Sequence, residues 1–445
     1  MANPPFNVDM VDAERVKDDR RLPFGLPGVN KDKRVSNGNY LWISYFHSYL
    51  SAKGRAGFVM SSQASSAGHG EKEVRRKLVE TGDVDVMIAI RSNFFYTRTV
   101  PCELWFFDRN KKPTPSPLVG EGRGEGARTR PSVDTVLMLD ARNIYRKVTR
   151  KIYDFSPEQQ ASLTAIVWLY RGQRERFIGL VQDYCTRLAA ESTAIAPALT
   201  AFETQLTSSR APLTEFAASV ADLDGVPVEK RQPFTDAMAE WTDAAKAYLT
   251  DRAALVAGLA AYLKKFAVPP APTFDLQRAA RQAFDPLAAA ERGMIKQIDL
   301  LYKLAARAAQ LAQELVTDEA AAEFFDRRTT SKLVKQLDEE RKAAVEQLKA
   351  ATYLHRQIAW LHDRFPKAEM QDIPGLCKVV SRAEIEAADW SLTPGRYVGV
   401  APAEVDEDFD FEQTLRDIHV ELADLNREAV ELALRIQENF EELGV

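Results

Sequence analysis

The chain has 445 residues, 45% hydrophobic and 28% charged, a length that points to roughly three domains and a composition that supports packed cores rather than disorder. No apolar run approaches the roughly 18 residues that a membrane span needs, so a spanning helix is excluded. Three cysteines (Cys102, Cys185 and Cys377) are odd in number and far apart, which argues against a disulfide framework and a structural zinc site.

The net charge of −5 is unevenly spread: residues 1–150 carry 25 Lys+Arg against 17 Asp+Glu, and residues 404–445 carry 3 against 14. A polyanion is drawn to the first third and repelled by the tail. The N-terminus, Met1-Ala2-Asn3-Pro4-Pro5-Phe6, has no basic or apolar leader pattern, so a cytoplasmic location is expected.

Residues 1–112 read as α/β. A helix is expected over Tyr40 to Ala52 with Ser36 or Asn37 near its cap, and another over Glu71 to Glu80. Strands are expected at Gly57–Met60, Val84–Ile90 and Cys102–Phe107. Helices between apolar strands predict part of a doubly wound sheet, with fewer strands visible than that fold uses.

Residues 113–132, centred on Gly120-Glu121-Gly122-Arg123-Gly124, form a low-complexity insertion. They lack the flanking strand and helix of a nucleotide fingerprint. Residues 133–160 read as the connection completing the first domain.

From 161 to 365 the pattern is helical and alanine-rich, punctuated by Pro197, Pro212, Pro227, Pro233, Pro269, Pro270 and Pro272. Residues 366–445 form a C-terminal segment. Within it Phe411, Leu415, Ile418, Leu422, Leu425, Ala429, Leu432 and Ile436 alternate spacings of four and three, predicting a coiled-coil helix over 411–443, roughly 50 Å long. A hairpin with another helix of this chain and a seam with a partner are both open readings.

The chemistry-bearing motif is Asn3-Pro4-Pro5-Phe6. An exocyclic amine on a heterocycle is a poor nucleophile because its lone pair is delocalised. Two acceptors, the Asn3 side-chain oxygen and the Pro4 carbonyl, can hold both N–H bonds and free that pair. Pro4-Pro5 stiffens the turn, and Phe6 offers a stacking face to an extruded base. Elsewhere, His355 and His362 lie two helical turns apart without Cys or Asp partners in the pattern, so no metal site is expected. Ser61, Ser62, Ser65, Ser66 and His69 read as loop residues.

Asn3-Pro4-Pro5-Phe6 resembles the catalytic motif of amino-group N-methyltransferases. Asn39-Tyr40-Leu41-Trp42-Ile43, Gly54-Arg55-Ala56-Gly57-Phe58-Val59, Val74-Arg75-Arg76-Lys77-Leu78 and Phe94-Phe95-Tyr96-Thr97 follow it in order, as does Leu104-Trp105-Phe106-Phe107-Asp108. With Asp389-Trp390-Ser391-Leu392-Thr393-Pro394-Gly395-Arg396-Tyr397, they resemble the modification subunit of type I restriction–modification systems.

The resemblance implies a Rossmann-like methyltransferase sheet, followed by a mostly helical region ending in the coiled coil. It implies S-adenosylmethionine as methyl donor, touched by Asn3, and transfer to adenine N6 in DNA. Asn3, Pro4, Pro5 and Phe6 would be the catalytic group. Arg15, Lys17, Arg20, Arg21, Lys31, Lys33 and Arg34 are candidate DNA contacts. Leu415, Ile418, Leu422, Leu425, Leu432 and Ile436 are the candidate seam toward a specificity subunit, with a restriction subunit and a second modification subunit as further partners.

In the family a helical domain and a glycine-rich donor loop precede the motif, which here starts at residue 3. The expectation is therefore an N-terminally truncated subunit lacking the main donor loop. The alternatives are methylation of a protein amide or an RNA base, and a non-catalytic remnant or helical module that binds a specificity subunit.

Overall fold

The computed structural model describes residues 1–94, 99–111, 132–149, 151–221, 227–266, 273–316 and 325–401, with scattered positions between 415 and 437. Residues Met1–Gly399 form one compact unit and Val400–Val445 a second.

The first unit opens with short pieces, β1 (Val11–Asp12), α1 (Ala13–Val16) and β2 (Arg34–Val35), then α2 (Asn39–Ser48), β3 (Arg55–Ser61), α3 (His69–Glu80), β4 (Val84–Ile90) and β5 (Cys102–Asp108). It continues with β6 (Thr135–Asp140), β7 (Arg146–Thr149), β8 (Ile152–Asp154) and the helices α4 (Pro157–Tyr170), α5 (Arg174–Ala221), α6 (Val228–Phe266), α7 (Phe274–Leu315) and α8 (Arg327–Arg364). It closes with β9 (Cys377–Ser381) and α9 (Arg382–Ala387).

Five strands make the main sheet in the order β3-β5-β4-β6-β9. β4 and β6 pair in parallel, while β5 runs antiparallel to both β3 and β4 and β9 antiparallel to β6. Hence β3, β4 and β6 point their carboxyl ends to one edge. The alternation of β6 splits its side chains between two cores. Leu137 and Leu139 face α4 through Leu163, Ile166 and Leu169. Val136 and Met138 face α2, α3 and α9 through Tyr40, Ile43, Leu78 and Ile385. Every residue of β4 is buried, as a central strand covered on both faces must be.

The expected strands at 84–90 and 102–107 are present, the second ending at Asp108. The strand expected at 57–60 extends over Arg55–Ser61, and the first helix ends at Ser48 rather than Ala52. The sheet is larger than the three visible strands. β6 comes from the stretch read as a connection, and β9 is supplied from about 270 residues downstream of β5 in sequence.

A second difference concerns proline. Pro197 and Pro212 lie inside α5 and Pro233 inside α6. A proline removes one backbone bond and strains the preceding turn. Here the buried Ile195, Leu199, Leu213 and Phe216 beside them hold the long helix in place through tertiary packing. The 113–131 insertion lies outside the described residues. No helix of the described residues is long and apolar enough to cross a membrane.

The segment after α9 is tied to the sheet by Arg75 of α3, 1% exposed. Its Nε donates to the Trp390 carbonyl at 2.6 Å, and its Nη1 donates to the Ala67 carbonyl at 2.8 Å and the Tyr40 hydroxyl at 3.2 Å. Arg75→Ala leaves these buried acceptors short of donors and should cost about 3 kcal/mol, each orphaned group being worth about 1–3. Urea denaturation measures it; a loss within about 0.5 kcal/mol of zero would show that the segment is held by packing alone.

Candidate active site

The N-terminal residues leave the sheet at its carboxyl edge. The Ala2 N–H donates to the Gly57 carbonyl at 3.1 Å and the Val59 N–H donates to the Ala2 carbonyl at 3.2 Å, a parallel bridge alongside β3. Asn3-Pro4-Pro5-Phe6 therefore emerges where β3, β4 and β6 end, the edge at which open α/β sheets bind ligands. Pro4 is buried, Asn3 and Pro5 are exposed, and Phe6 is half-buried against both cores.

Behind the motif, Asn7 takes a positive φ of 52°, a conformation asparagine tolerates better than most residues. It is clamped by Asn39 at the start of α2: the Asn7 N–H donates to Asn39 Oδ1 at 2.8 Å, and Asn39 Nδ2 donates to Asn7 Oδ1 at 2.9 Å. Gly38 N–H donates to the Val8 carbonyl at 2.7 Å. Asn39 thus fixes the chain as it leaves the Asn3–Phe6 segment. Sequence reading missed this role because nothing in the local pattern links residues 7 and 39.

A cavity of about 310 Å³ opens on the same edge, lined by Ser62, Gln63, Ile90, Cys102, Glu103 and Arg142 among others. Glu103 is 1% exposed. Its Oε1 accepts from Ser65 Oγ at 3.0 Å, Ser65 Oγ lies 2.7 Å from Thr393 Oγ1, and Oε2 has no protein partner. Ser65, read from sequence as a loop residue, is buried and part of this cluster. Arg142 is held over the cavity by Asp140 at 2.5 Å. Gly395 permits its approach, since a Cβ there would lie 2.7 Å from Arg142 Nη2.

Burial pushes the Glu103 carboxyl up to about 8, against the opposing Ser65 hydrogen bond. The folded chain keeps it protonated to about pH 8, while an unfolded one ionises near 4.5. Its stabilising contribution is therefore complete below about pH 4.5 and is lost as pH rises through about 8. Glu103→Gln should raise the thermal midpoint relative to the native chain by more at pH 8 than at pH 5. Equal shifts at both would show that Glu103 ionises normally.

The basic residues of the first loop are largely matched by acidic neighbours. Arg21 forms a fork with Asp19 at 2.7 Å, Lys17 reaches Glu14 at 2.6 Å, and Arg15 and Arg34 lie 3.6 and 3.9 Å from Asp12. Lys33 lies 3.7 Å from Glu14, while Arg20 and Lys31 are exposed. The structure gathers this set around α1 and the β1–β2 pair.

His355 and His362 are buried core residues. His355 Nε2 lies 2.8 Å from Asp285, and burial pushes His362 down to about 4. No group of three or more His, Cys, Asp or Glu side chains suited to a metal ion occurs among the described residues.

In the second unit, Leu415, Ile418, Leu422, Leu432 and Ile436 are helical and exposed. Phe411 and Leu425 lie outside the described residues.

The β3-to-α3 connection ends at Gly68, the cap of α3, and Gly70 lies in the first turn of that helix. A Cβ on Gly70 would lie 2.6 Å from the Gly28 backbone nitrogen, so the space beside that glycine is filled by the chain itself. The Gly70 side of that turn is therefore closed to a ligand.

Comparison with known proteins agrees with the motif. A family model described as N-6 DNA Methylase matches residues 1–190. The type I restriction enzyme MjaIX methylase subunit of Methanocaldococcus jannaschii is 36% identical over 152 residues, covering 34% of this chain and 24% of the relative. The type I restriction enzyme HindI methylase subunit of Haemophilus influenzae is 28% identical over 164 residues, covering 37% and 31%. A solved type I restriction–modification methyltransferase subunit from Streptococcus thermophilus superposes with a TM-score of 0.29 at 18% identity, over 38% of this chain and 30% of that one. The chain spans about a quarter to a third of the length of these curated relatives. By sequence, residues 1–190 are similar to N-6 DNA methylases and, among them, to type I restriction enzyme methylase subunits.

Proposed function

We propose that the chain acts in the cytoplasm as a subunit, or part of one, of an adenine-specific DNA methyltransferase in a type I restriction–modification system. The observation that carries this reading is the Asn3-Pro4-Pro5-Phe6 turn at the carboxyl edge of the sheet, held from behind by Asn39.

In this reading the Asn3 side-chain oxygen and the Pro4 carbonyl accept the two N6 hydrogens of an extruded adenine. This draws the nitrogen toward a tetrahedral form in which its lone pair is available. Phe6 stacks on the ring. The Pro4 carbonyl is held by the stiff Pro4-Pro5 backbone before the base arrives, which lowers the reorganisation needed at the moment of reaction. S-adenosylmethionine, the donor the family uses, would supply an electrophilic methyl group on a sulfonium.

Asn3→Ala should lower methyl incorporation into DNA roughly 100-fold or more. The measurement is sequencing for N6-methyladenine in a methylation-free host expressing the complete system with the native or altered chain. Methylation within about twofold of native would refute the role of the turn.

A second reading, favoured by the exposed Leu415, Ile418, Leu422, Leu432 and Ile436, is that the C-terminal helix binds the specificity subunit, with or without catalysis by this chain. Unpaired apolar side chains at coiled-coil spacing are costly in water and are covered when a partner helix docks. Leu422→Asp with Leu432→Asp should abolish co-purification with the specificity subunit; undiminished recovery would count against the seam.

A further inference from the structure

The chain leaves β6 at Asp140 and forms a hairpin, β7 and β8, before α4. Residues 142–154 contain Arg142, Arg146, Lys147, Arg150 and Lys151 against one acid, Asp154, interleaved with Tyr145 and Tyr153. All four residues of β7 are exposed. Lys147 and Lys151 are exposed and have no ion-pair partner among the described residues. This differs from the first loop, where most cations face a carboxylate at 2.6–3.9 Å.

An isolated two-stranded hairpin is marginal in water, so this one needs external support, and the support is unusual. Arg91, just beyond β4, lies over both Tyr145 and Tyr153, with its guanidinium carbon 4.4 and 4.5 Å from the ring centroids. The two rings meet edge to face at 5.0 Å. The Tyr153 N–H donates to the Asn93 carbonyl at 3.1 Å. Phe155 packs on Phe94 with centroids 4.7 Å apart, and Gln159 of α4 donates to the Tyr145 carbonyl at 3.1 Å. The base of the hairpin is therefore fixed to the loop after β4 and to α4, while its outer part stands free and positive.

Its place matters as much as its charge. β4 and β6 are parallel, so the hairpin and its anchor both leave the sheet at the edge from which Asn3-Pro4-Pro5-Phe6 emerges.

We propose that the β7–β8 hairpin grips the phosphate backbone of duplex DNA beside the base taken up at Asn3, with Lys147 and Lys151 as phosphate contacts. The inference rests on the methyltransferase reading for its choice of polyanion. A two-stranded ribbon is of a width that the major groove admits, and cations positioned next to an extruded base hold the flanking duplex in register. The Arg146–Asp154 pair, 2.7 Å and exposed, is weak enough in water to yield to a phosphate.

The test is fluorescence anisotropy of a mixed-sequence DNA duplex with the full chain, from about 50 to 200 mM salt. Lys147→Gln with Lys151→Gln should raise the dissociation constant at least about 10-fold and flatten the salt slope by about 1.8, roughly 0.9 per lost phosphate contact. Both side chains are exposed, so folding is unaffected, and an unchanged thermal midpoint verifies it. Lys332→Gln with Lys335→Gln, the same charge change on exposed positions of α8, should leave the slope alone. Unchanged affinity and slope in the hairpin variant, an equal loss in the α8 variant, no duplex binding by the native chain at low salt, or tighter binding of a polyglutamate of equal charge would each overturn the proposal. The Asn3→Ala methylation assay reads the underlying assignment separately. Loss of methylation there, combined with an unmoved hairpin slope, rejects the hairpin and keeps the methyltransferase.

Discussion

A guanidinium buried without counter-charge at hydrogen-bond distance must have its donors met by neutral acceptors, and this requirement at Arg75 organises the carboxyl edge of the sheet. Taking such a group out of water is expensive unless each N–H finds an oxygen. The acceptors come from α2, from the turn after β3, and from Trp390 far along the chain. Trp390 and its neighbour Asp389 both hold positive φ, a strained arrangement for these residues that persists where surroundings over-determine it. Asp389 is fastened to Lys72, and the Leu392 N–H donates to the Ser65 carbonyl at 2.8 Å. One buried cation thereby brings residues 389–397 against α3, so that Thr393 reaches Ser65 and Gly395 faces Arg142.

The edge shows a division of labour. The backbone bridge at Ala2 aims the Asn-Pro-Pro-Phe turn, and the reciprocal amide pair Asn7–Asn39 fixes its exit. The polar cluster of Glu103, Ser65 and Thr393 lies beneath the neighbouring cavity, uncharged over most of the physiological range because burial outweighs the serine hydrogen bond. Lys147 and Lys151, which have no ion-pair partner among the described residues, stand further out, on the hairpin. Short, neutral, prearranged groups sit near the turn and solvated charges at the rim.

The helices from α4 to α8 pack on the sheet face opposite α2 and α3 and share one continuous apolar core with β4 and β6. Some of their buried polar groups find a partner across that core. Gln277 donates to the Ile178 carbonyl at 3.0 Å, and His355 meets Asp285 at 2.8 Å. The helical stretch is thus continuous with the main sheet, and α4 begins at a capping box made by Ser156 and Gln159.

Local information carried much of this protein. The apolar run Val84–Ile90, the alternation of Cys102–Phe107 and the long alanine-rich periodicities specify their own elements, because period and propensity act within a few residues. The Asn-Pro-Pro-Phe turn is equally self-contained, since its two prolines constrain their own backbone. What required tertiary structure was every feature made by distant partners: β9 joining β6, Asn39 holding Asn7, Thr393 meeting Ser65 and Glu103, and Arg91 clasping the hairpin between two tyrosines. The prolines inside α5 belong here too, since packing from neighbouring helices overrides a local rule. A hydrogen bond or ring contact across tens or hundreds of residues leaves no periodic trace in the chain, so it exists only once the fold brings both ends together.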